Sequence, residues 1–396
     1  MSRHPKGIDR RRFLQLGLAG SGLVLGGCAS SEERSTPIAG ATVPHRSLGA
    51  TGLKVSEIAF GGDGPDNPAL LHAALNAGIN TIFVSPEYRD GRGQESIGRV
   101  VREIGPRRQE LVLFSGTAVR PGSTKQSLLD SIDGSLRRLC TDHIDIFATY
   151  EVSSPLDLRN EALHEAFETA RRAGKVRHLA LTGHSGGMQA CLEAAMEDGR
   201  FGVFLIKYDF VSYPDQDEIL HRASQQGIGT IVFKTNAGAR QSEIEDLEAG
   251  GLSFSQATLK WALSNPDVAG VCIRMTSFRI LRECVQAVTG RLTRSELEML
   301  KRYAREMYDQ YCRFCGQCEG SCPREVAIAD VNRFAMYFKY HGREKESMRL
   351  YEALPASRSA GPCSQCPGHC EAGCPFGRRV RAELVEAHRM LRLARA

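Results

Sequence analysis

Thirteen cysteines punctuate this chain, and eight of them fall after residue 310 in two tight groups. The first reads Cys312-x2-Cys315-x2-Cys318-x3-Cys322, followed by Pro323. A [4Fe–4S] cubane needs thiolates converging from a tight turn. This spacing is that of the bacterial four-iron run, in which three thiolates serve one cluster and the fourth, before proline, reaches another. The second group, Cys363-x2-Cys366-x3-Cys370-x3-Cys374-Pro375, has one residue more, which is expected to bulge its loop. Zinc sites usually hold their CxxC pairs farther apart, so the cofactors expected are two [4Fe–4S] clusters. Spacing alone leaves two pairings open: four and four within each group, or an exchange between the groups. The segment between them, 327–354, is helical in pattern and long enough to span two sites.

The rest of the chain must carry those thiolates and give them something to do. Its 396 residues, 42% apolar and 24% charged, suit a soluble globular protein and exclude a disordered chain or a polytopic membrane protein. A net charge of +5 over that length does not argue for a nucleic-acid partner. Between residues 55 and 290, eight short β-branched runs alternate with amphipathic segments: 58–62, 80–85, 111–115, 144–149, 176–183, 203–209, 229–235 and 268–273. Eight strand–helix units in about that length predict the α/β class and a (β/α)8 TIM barrel. A doubly wound sheet is the alternative, weakened because no G-x-G-x-x-G opens the first strand–helix turn. Barrel chemistry sits at the C-terminal ends of the strands. The polar residues there are Asp63, Glu87, Tyr88, Ser115, Thr117, Tyr150, Glu151, Thr182, His184, Tyr208, Asp209, Lys234 and Arg274. No nucleophilic triad or His-Glu metal pattern appears among them, which leaves hydrolase readings little support.

The N-terminus reads as an address. Paired arginines in Asp9-Arg10-Arg11-Arg12-Phe13-Leu14 precede an apolar run, Leu16 to Gly27, too short to span a bilayer but right for a signal segment. The arginine pair resembles the twin-arginine export signal. Leu25-Gly26-Gly27-Cys28 resembles a lipobox, which would make Cys28 a lipidation site; an ordinary peptidase cut without lipid is the alternative. The expected product is periplasmic, or a lipoprotein anchored to the outer face of a membrane. Residues 1–28 are then the signal, 29–44 a tether, 45–305 the barrel and 306–396 the cluster domain. Cys140, Cys191, Cys272 and Cys284 lie in apolar contexts and are expected in the core, with disulfides the alternative in an oxidising compartment. From Arg378 to Arg395 six arginines face two glutamates, a solvated helix face or a dock for an acidic redox partner.

Arg46-Ser47-Leu48-Gly49 with Thr51-Gly52-Leu53-Lys54-Val55-Ser56 resembles the opening hairpin of aldo/keto reductases. Gly78-Ile79-Asn80, Glu95-Ser96-Ile97-Gly98, Thr141-Asp142-His143-Ile144-Asp145 and Gly174-Lys175-Val176-Arg177 follow in that family's order. The resemblance covers about residues 45–305 and implies NADP(H) held across the barrel mouth. It implies a tetrad of Asp, Tyr, Lys and His, which falls here on Phe83, Tyr88, the neighbourhood of Gly116, and Tyr150. Only the tyrosine is kept, so the expected catalytic residues are Tyr88 and, as a substitute, His184. Expected at the cofactor are Thr182 and Gly183 at the nicotinamide, Lys234, and Arg274 or Arg279 at the adenosine phosphate. The cysteine layout resembles helical two-cluster ferredoxins. That resemblance implies Cys312, Cys315 and Cys318 with Cys374, and Cys363, Cys366 and Cys370 with Cys322.

The function expected is an exported iron–sulfur oxidoreductase. It would couple the redox of a small carbonyl or alcohol to a redox partner protein in the cell envelope. A nicotinamide gives two electrons at once as hydride, whereas each cluster usually takes one. Two clusters could accept both, though normally through a flavin or radical step, and no flavin site is evident in the sequence. The alternative is an electron-transfer or binding subunit that uses the barrel as a scaffold.

Overall fold

Strands whose alternate side chains are apolar on both faces must be covered twice, by one another inside a barrel and by helices outside. The computed structural model describes residues 42–392, apart from 65, 121, 151, 153, 184–186, 212–213, 237–238, 240–246, 249–251, 307–311 and 341. The export signal, Cys28, nearly all of the tether, Glu151 and His184 therefore lie outside the described residues.

An antiparallel hairpin, β1 (His45–Ser47) and β2 (Lys54–Ser56), opens the described chain. Eight parallel strands follow: β3 (Ile58–Gly61), β4 (Thr81–Phe83), β5 (Val112–Ala118), β6 (Ile144–Tyr150), β7 (Val176–Gly183), β8 (Val203–Lys207), β9 (Gly229–Phe233) and β10 (Gly270–Arg274). They close in sequence order, with β10 pairing β3, into the expected barrel. Every expected strand is present within a few residues of its place. Val112, Phe114, Ile146, Ala148, Val203, Leu205 and Ile231 fill the interior together with Leu48 and Val55 of the hairpin. The alternate residues, among them Leu113, Phe147, Leu181, Phe204 and Val232, pack outward against the helices. Arg46 fastens the hairpin by donating to the Val268 and Leu263 carbonyls, 2.9 Å each, beside Glu57 at 2.6 Å.

The covering helices start where capping chemistry allows. Asn67 caps α1 (Pro68–Asn76) with proline in its first turn. After α2 (Arg92–Ile104), Thr124 caps α3 (Lys125–Leu139) in a reciprocal box with Ser127. The outer layer continues through α4 (Pro155–Leu158), α5 (Glu161–Arg172), α6 (Met188–Asp198), α7 (Pro214–Gln225), α8 (Phe254–Ser264), α9 (Phe278–Val288) and α10 (Arg294–Glu306). Helices α2 and α3 touch through Gly98, where a Cβ would lie 2.0 Å from the Arg138 carbonyl oxygen.

Beyond Glu306 the chain is helical: α11 (Ile328–Tyr340), α12 (Glu344–Glu352), α13 (His369–Ala372) and α14 (Val380–Leu391). The single helical stretch expected over 327–354 is broken at Gly342, whose φ of +61° suits glycine, and Arg343 turns back toward the barrel. The described residues, 42–392, belong to one compact unit. No helix among the described residues is long and apolar enough to cross a membrane.

Asp145 on β6 is 1% exposed. It accepts from Arg108 (3.0 Å), Arg177 (2.8 Å) and the Leu113 backbone N–H (2.9 Å). Removing one partner of a buried ionic network leaves the others uncompensated. Asp145→Ala is expected to cost about 3–5 kcal/mol, read from the urea unfolding midpoint. Asp142→Ala, at an exposed site three residues away, should stay within about 0.5 kcal/mol of the parent. Equal losses in the two would refute the assignment of Asp145 as the joint.

Candidate active site

At the C-terminal rim of the barrel, the positions expected for a charged tetrad hold a packed aromatic cluster. Phe83 meets Tyr88 at 6.1 Å, Phe114 at 5.2 Å and Tyr150 at 5.8 Å between ring centroids, each edge to face. Tyr150 is buried, and burial pushes its phenol well above the ordinary value. A Cβ on Gly116 would lie 2.0 Å from the Ala148 carbonyl oxygen, so the strand leaves no room there for a lysine. Burial, with the Asp63 carboxylate nearby, also drives the Tyr88 phenol upward. That is the wrong direction for a proton donor whose anion must be stabilised.

Charge at the mouth is arranged elsewhere. Lys234, just past β9, has a φ of +59°, a rare backbone state for a residue with a side chain. Its ammonium donates to the Tyr337 hydroxyl on α11. Burial lowers the Lys234 pKa to about 8, with Tyr337 pulling the other way. Burial alone would raise the Tyr337 phenol; the Lys234 ammonium and the Arg333 guanidinium outweigh it and bring it down to about 8. Arg343 lies over the Tyr337 ring at 5.0 Å and pairs with Asp63, after β3, at 3.8 Å. Asp63 also meets Arg274 at 3.6 Å, and burial raises its carboxyl against the pull of both arginines. Lys207, the last residue of β8, forms a buried ion pair with Asp209 at 2.9 Å. It also donates to the Arg313 carbonyl oxygen at 3.3 Å, inside the first cysteine loop. Asp63, Tyr88, Phe233, Lys234 and Cys272 remain only half buried, so the mouth keeps accessible surface.

The residues expected at a nucleotide divide into two sets. Thr182 is buried at the end of β7, and a Cβ on Gly183 would strike Met188 at 2.2 Å. Arg274 donates to the Asp63 carbonyl oxygen at 2.8 Å. Arg279, in the first turn of α9, is exposed and pairs with Glu283 at 2.7 Å, an exchangeable surface contact at a helix N-terminus. The outer end of the mouth therefore fits an anionic phosphate, while Lys234 is engaged by Tyr337. Cys191 and Cys284 are core residues, as expected. Cys272 instead faces the mouth half buried, and Cys140 ends α3 with its thiol 3.0 Å from the Arg102 guanidinium.

The eight C-terminal cysteines gather in the exchanged arrangement. Cys312, Cys315, Cys318 and Cys374 line one small apolar cavity with Phe314 and Ile328. Burial pushes the Cys312 thiol up to about 12, and burial with the other three thiols raises Cys318 further. Cys363 and Cys370, each up to about 11 through burial and their neighbours, have Cys322 and Cys366 beside them. A Cβ on Gly373 would come within 3.4 Å of the Cys318 Cα, which shows how closely the groups interleave. The extra residue of the second group is absorbed at Gly368, at φ +94°, whose N–H donates to the Cys366 sulfur at 3.4 Å. Among the described residues no three His, Cys, Asp or Glu converge as ligands of a single metal ion. A cluster takes its thiolates at separate corners, and its positive core would relieve the crowding that holds these thiols neutral.

Residues 62–250 match the sequence model of the Aldo/keto reductase family. Over that stretch the barrel is similar to those of aldo/keto reductases. The chain is 26% identical over 308 residues to the uncharacterized oxidoreductase YrpG of Bacillus subtilis, covering 64% of this chain and 93% of that protein. It is 24% identical over 282 residues to L-galactose dehydrogenase of Arabidopsis thaliana, covering 62% and 88%. The solved aldo-keto reductase AKR11C1 from Bacillus halodurans shares the fold, with a TM-score of 0.55 at 20% identity, over 66% of this chain and 96% of that one. By these relationships the barrel resembles aldo/keto reductases, oxidoreductases that typically use NADP(H). Its mouth contains residues that no local sequence signal marked: Lys207, Arg333, Tyr337 and Arg343. Tyr337 reads in the sequence as one apolar-face position of a helix.

Gly116→Ala is expected to lose about 1–3 kcal/mol of stability by overpacking β5 against β6, read from the urea midpoint. A variant as stable as the parent would show that the strand can move aside and that a lysine there is sterically allowed.

Proposed function

We propose that this protein is an exported iron–sulfur oxidoreductase that interconverts a small carbonyl and its alcohol at the barrel mouth. In this reading it exchanges electrons with an envelope partner through two clusters. The observation that supports it most is the exchanged gathering of eight cysteines beside α11, the helix that also reaches the mouth. Cys312, Cys315, Cys318 and Cys374 would hold one [4Fe–4S] cluster, and Cys322, Cys363, Cys366 and Cys370 the other. When bound, the clusters supply one-electron transfer and the nicotinamide a hydride. Arg279 would hold the adenosine phosphate, and Thr182 and Gly183 would border the nicotinamide end. The chain's own part is to exclude water with the Phe83–Phe114–Tyr150 cluster and to present charged and hydroxyl groups at the strand ends. Export by the twin-arginine route, with Cys28 as a lipid anchor, is consistent with a cofactor assembled before translocation. A second reading, an electron-transfer or binding subunit on a retired barrel, draws support from the aromatic residues that replace the charged tetrad.

Purified without oxygen after growth with iron, the wild-type chain should contain iron and acid-labile sulfide matching two clusters. Cys312→Ser and Cys374→Ser should each reduce that content by about half, and the double variant should lose no more than either single one. Cys322→Ser should deplete the other half, together with Cys363→Ser. If Cys312→Ser and Cys322→Ser instead affect the same half, the pairing is four and four and the exchanged assignment fails. A chain that takes up no iron at all would end the cluster reading.

A further inference from the structure

We propose that Tyr337, delivered to the barrel mouth by the C-terminal segment and held on Lys234, is the proton-transfer residue of the reaction, in place of Tyr88. The inference rests on the oxidoreductase reading above and names the acid and base of that site. Three independent features of the geometry support it. Tyr337 is the phenol at the mouth that meets an ammonium, that of Lys234, while Tyr88 is wedged against Phe83. Lys234 adopts a strained left-handed backbone, and an observed outlier of that kind at a strand end is a marker of function. Arg343 spans from the Tyr337 ring to Asp63, tying the phenol's surroundings to the opposite side of the barrel.

The groups facing the Tyr337 ring and hydroxyl are Lys234 from the end of β9, Arg333 from its own helix and Arg343 from the turn after it. Arg333 is itself paired with Asp330 at 2.7 Å, and Arg343 with Glu346 at 2.5 Å and Asp63 at 3.8 Å. The Lys234 ammonium and the Arg333 guanidinium favour the phenolate, even though burial opposes it. Tyr88 has the reverse balance, with burial and Asp63 both acting against its anion.

In the reducing direction, the carbonyl carbon takes a hydride from a reduced nicotinamide and the carbonyl oxygen takes the proton of the Tyr337 O–H bond. The alcohol leaves, with an oxidised nicotinamide and a phenolate beside the Lys234 ammonium. Proton uptake from solvent restores the phenol. Oxidation of the alcohol runs the same steps backward, beginning from the phenolate. Reduction needs the protonated phenol and so should fall as pH rises through about 8, while oxidation should rise through the same point. Because Lys234 and Tyr337 are coupled, that midpoint belongs to the pair.

The test uses the full chain, purified without oxygen. Its phenolate absorbance is titrated as a difference spectrum against Tyr337→Phe, and NADPH-dependent reduction of an aromatic aldehyde is followed in parallel. The expected result is one tyrosine titrating near 8, absent in Tyr337→Phe and moved upward in Lys234→Met. Turnover by Tyr337→Phe should fall about 100-fold or more, the usual share of a general acid, with its folding checked by the unfolding midpoint. No phenolate below the ordinary tyrosine range in wild type would overturn the proposal. So would turnover kept in Tyr337→Phe and lost in Tyr88→Phe, a result that leaves the oxidoreductase reading intact. A wild-type chain that shows the low phenolate step but reduces no aldehyde would overturn that reading itself, and the donor role with it.

Discussion

A desolvated ammonium at the mouth of a barrel needs a partner, and in this protein the partner comes from outside the barrel. Lys234 meets the Tyr337 hydroxyl, and most of what distinguishes the molecule follows from that contact. It brings α11 to the strand ends, and α11 also lines the first cysteine cavity with Ile328, Ala329 and Asn332. Ala329 and Tyr337 are eight residues apart on one helix, about 12 Å along its axis at 1.5 Å per residue. One rigid element therefore faces the candidate chemistry at one end and the candidate cluster at the other. A flexible linker could not fix that separation. The Lys207 contact to the Arg313 carbonyl adds a second attachment, so the cysteine loop is positioned by the ends of two adjacent strands.

The residues that carry the family resemblance serve the frame rather than the chemistry. Thr141 accepts from Arg108 at 2.9 Å, and Asp145 collects Arg108, Arg177 and a strand N–H. Lys175 pairs with Asp133 at 2.6 Å, and Gly98 lets α2 approach α3. Arg46 holds the hairpin across the barrel floor. These are joints between strands and helices, and they hold the barrel together. The mouth has no such requirement, and there the chain departs from the pattern. Phe83 and Tyr150 exchange charge for aromatic packing, and Gly116 lets β5 lie directly on β6.

The same division explains what could be read from the sequence. The eight strands were legible because each is a short, largely apolar run buried over most of its length. The cysteine groups were legible because their ligand spacing is local. The tetrad substitutions at Phe83, Gly116 and Tyr150 were visible as changes of residue type. The roles of Tyr337 and Arg343 were not, because they depend on how a helix about 95 residues after β9 packs onto its end. Helical periodicity assigns Tyr337 an inward face without saying what that face meets. The break at Gly342 was hidden for a related reason. A lone glycine within a helical pattern is usually tolerated, and only the structure shows Arg343 beyond it at the N-cap of the next helix, pairing with Glu346 and Asp63.

That dependence bears on how the two parts of the chain fold. Lys207, Lys234 and Asp63 are barrel residues whose charges are compensated largely or partly by groups beyond residue 306. A barrel deprived of that segment would leave Lys234 without the Tyr337 hydroxyl, its acceptor among the described residues. It would leave Asp63 with Arg274 alone among the pairs described here, Arg343 being gone. In the other direction, α11 packs its Met336 and Tyr337 into the same apolar cluster as Phe210, Phe254 and Tyr303 of the barrel's flank. Each part supplies what the other lacks, a counter-charge in one direction and a hydrophobic seat in the other. The appended segment therefore behaves as a wall of the site rather than as a module tethered to it, and the chemistry of the mouth depends on both.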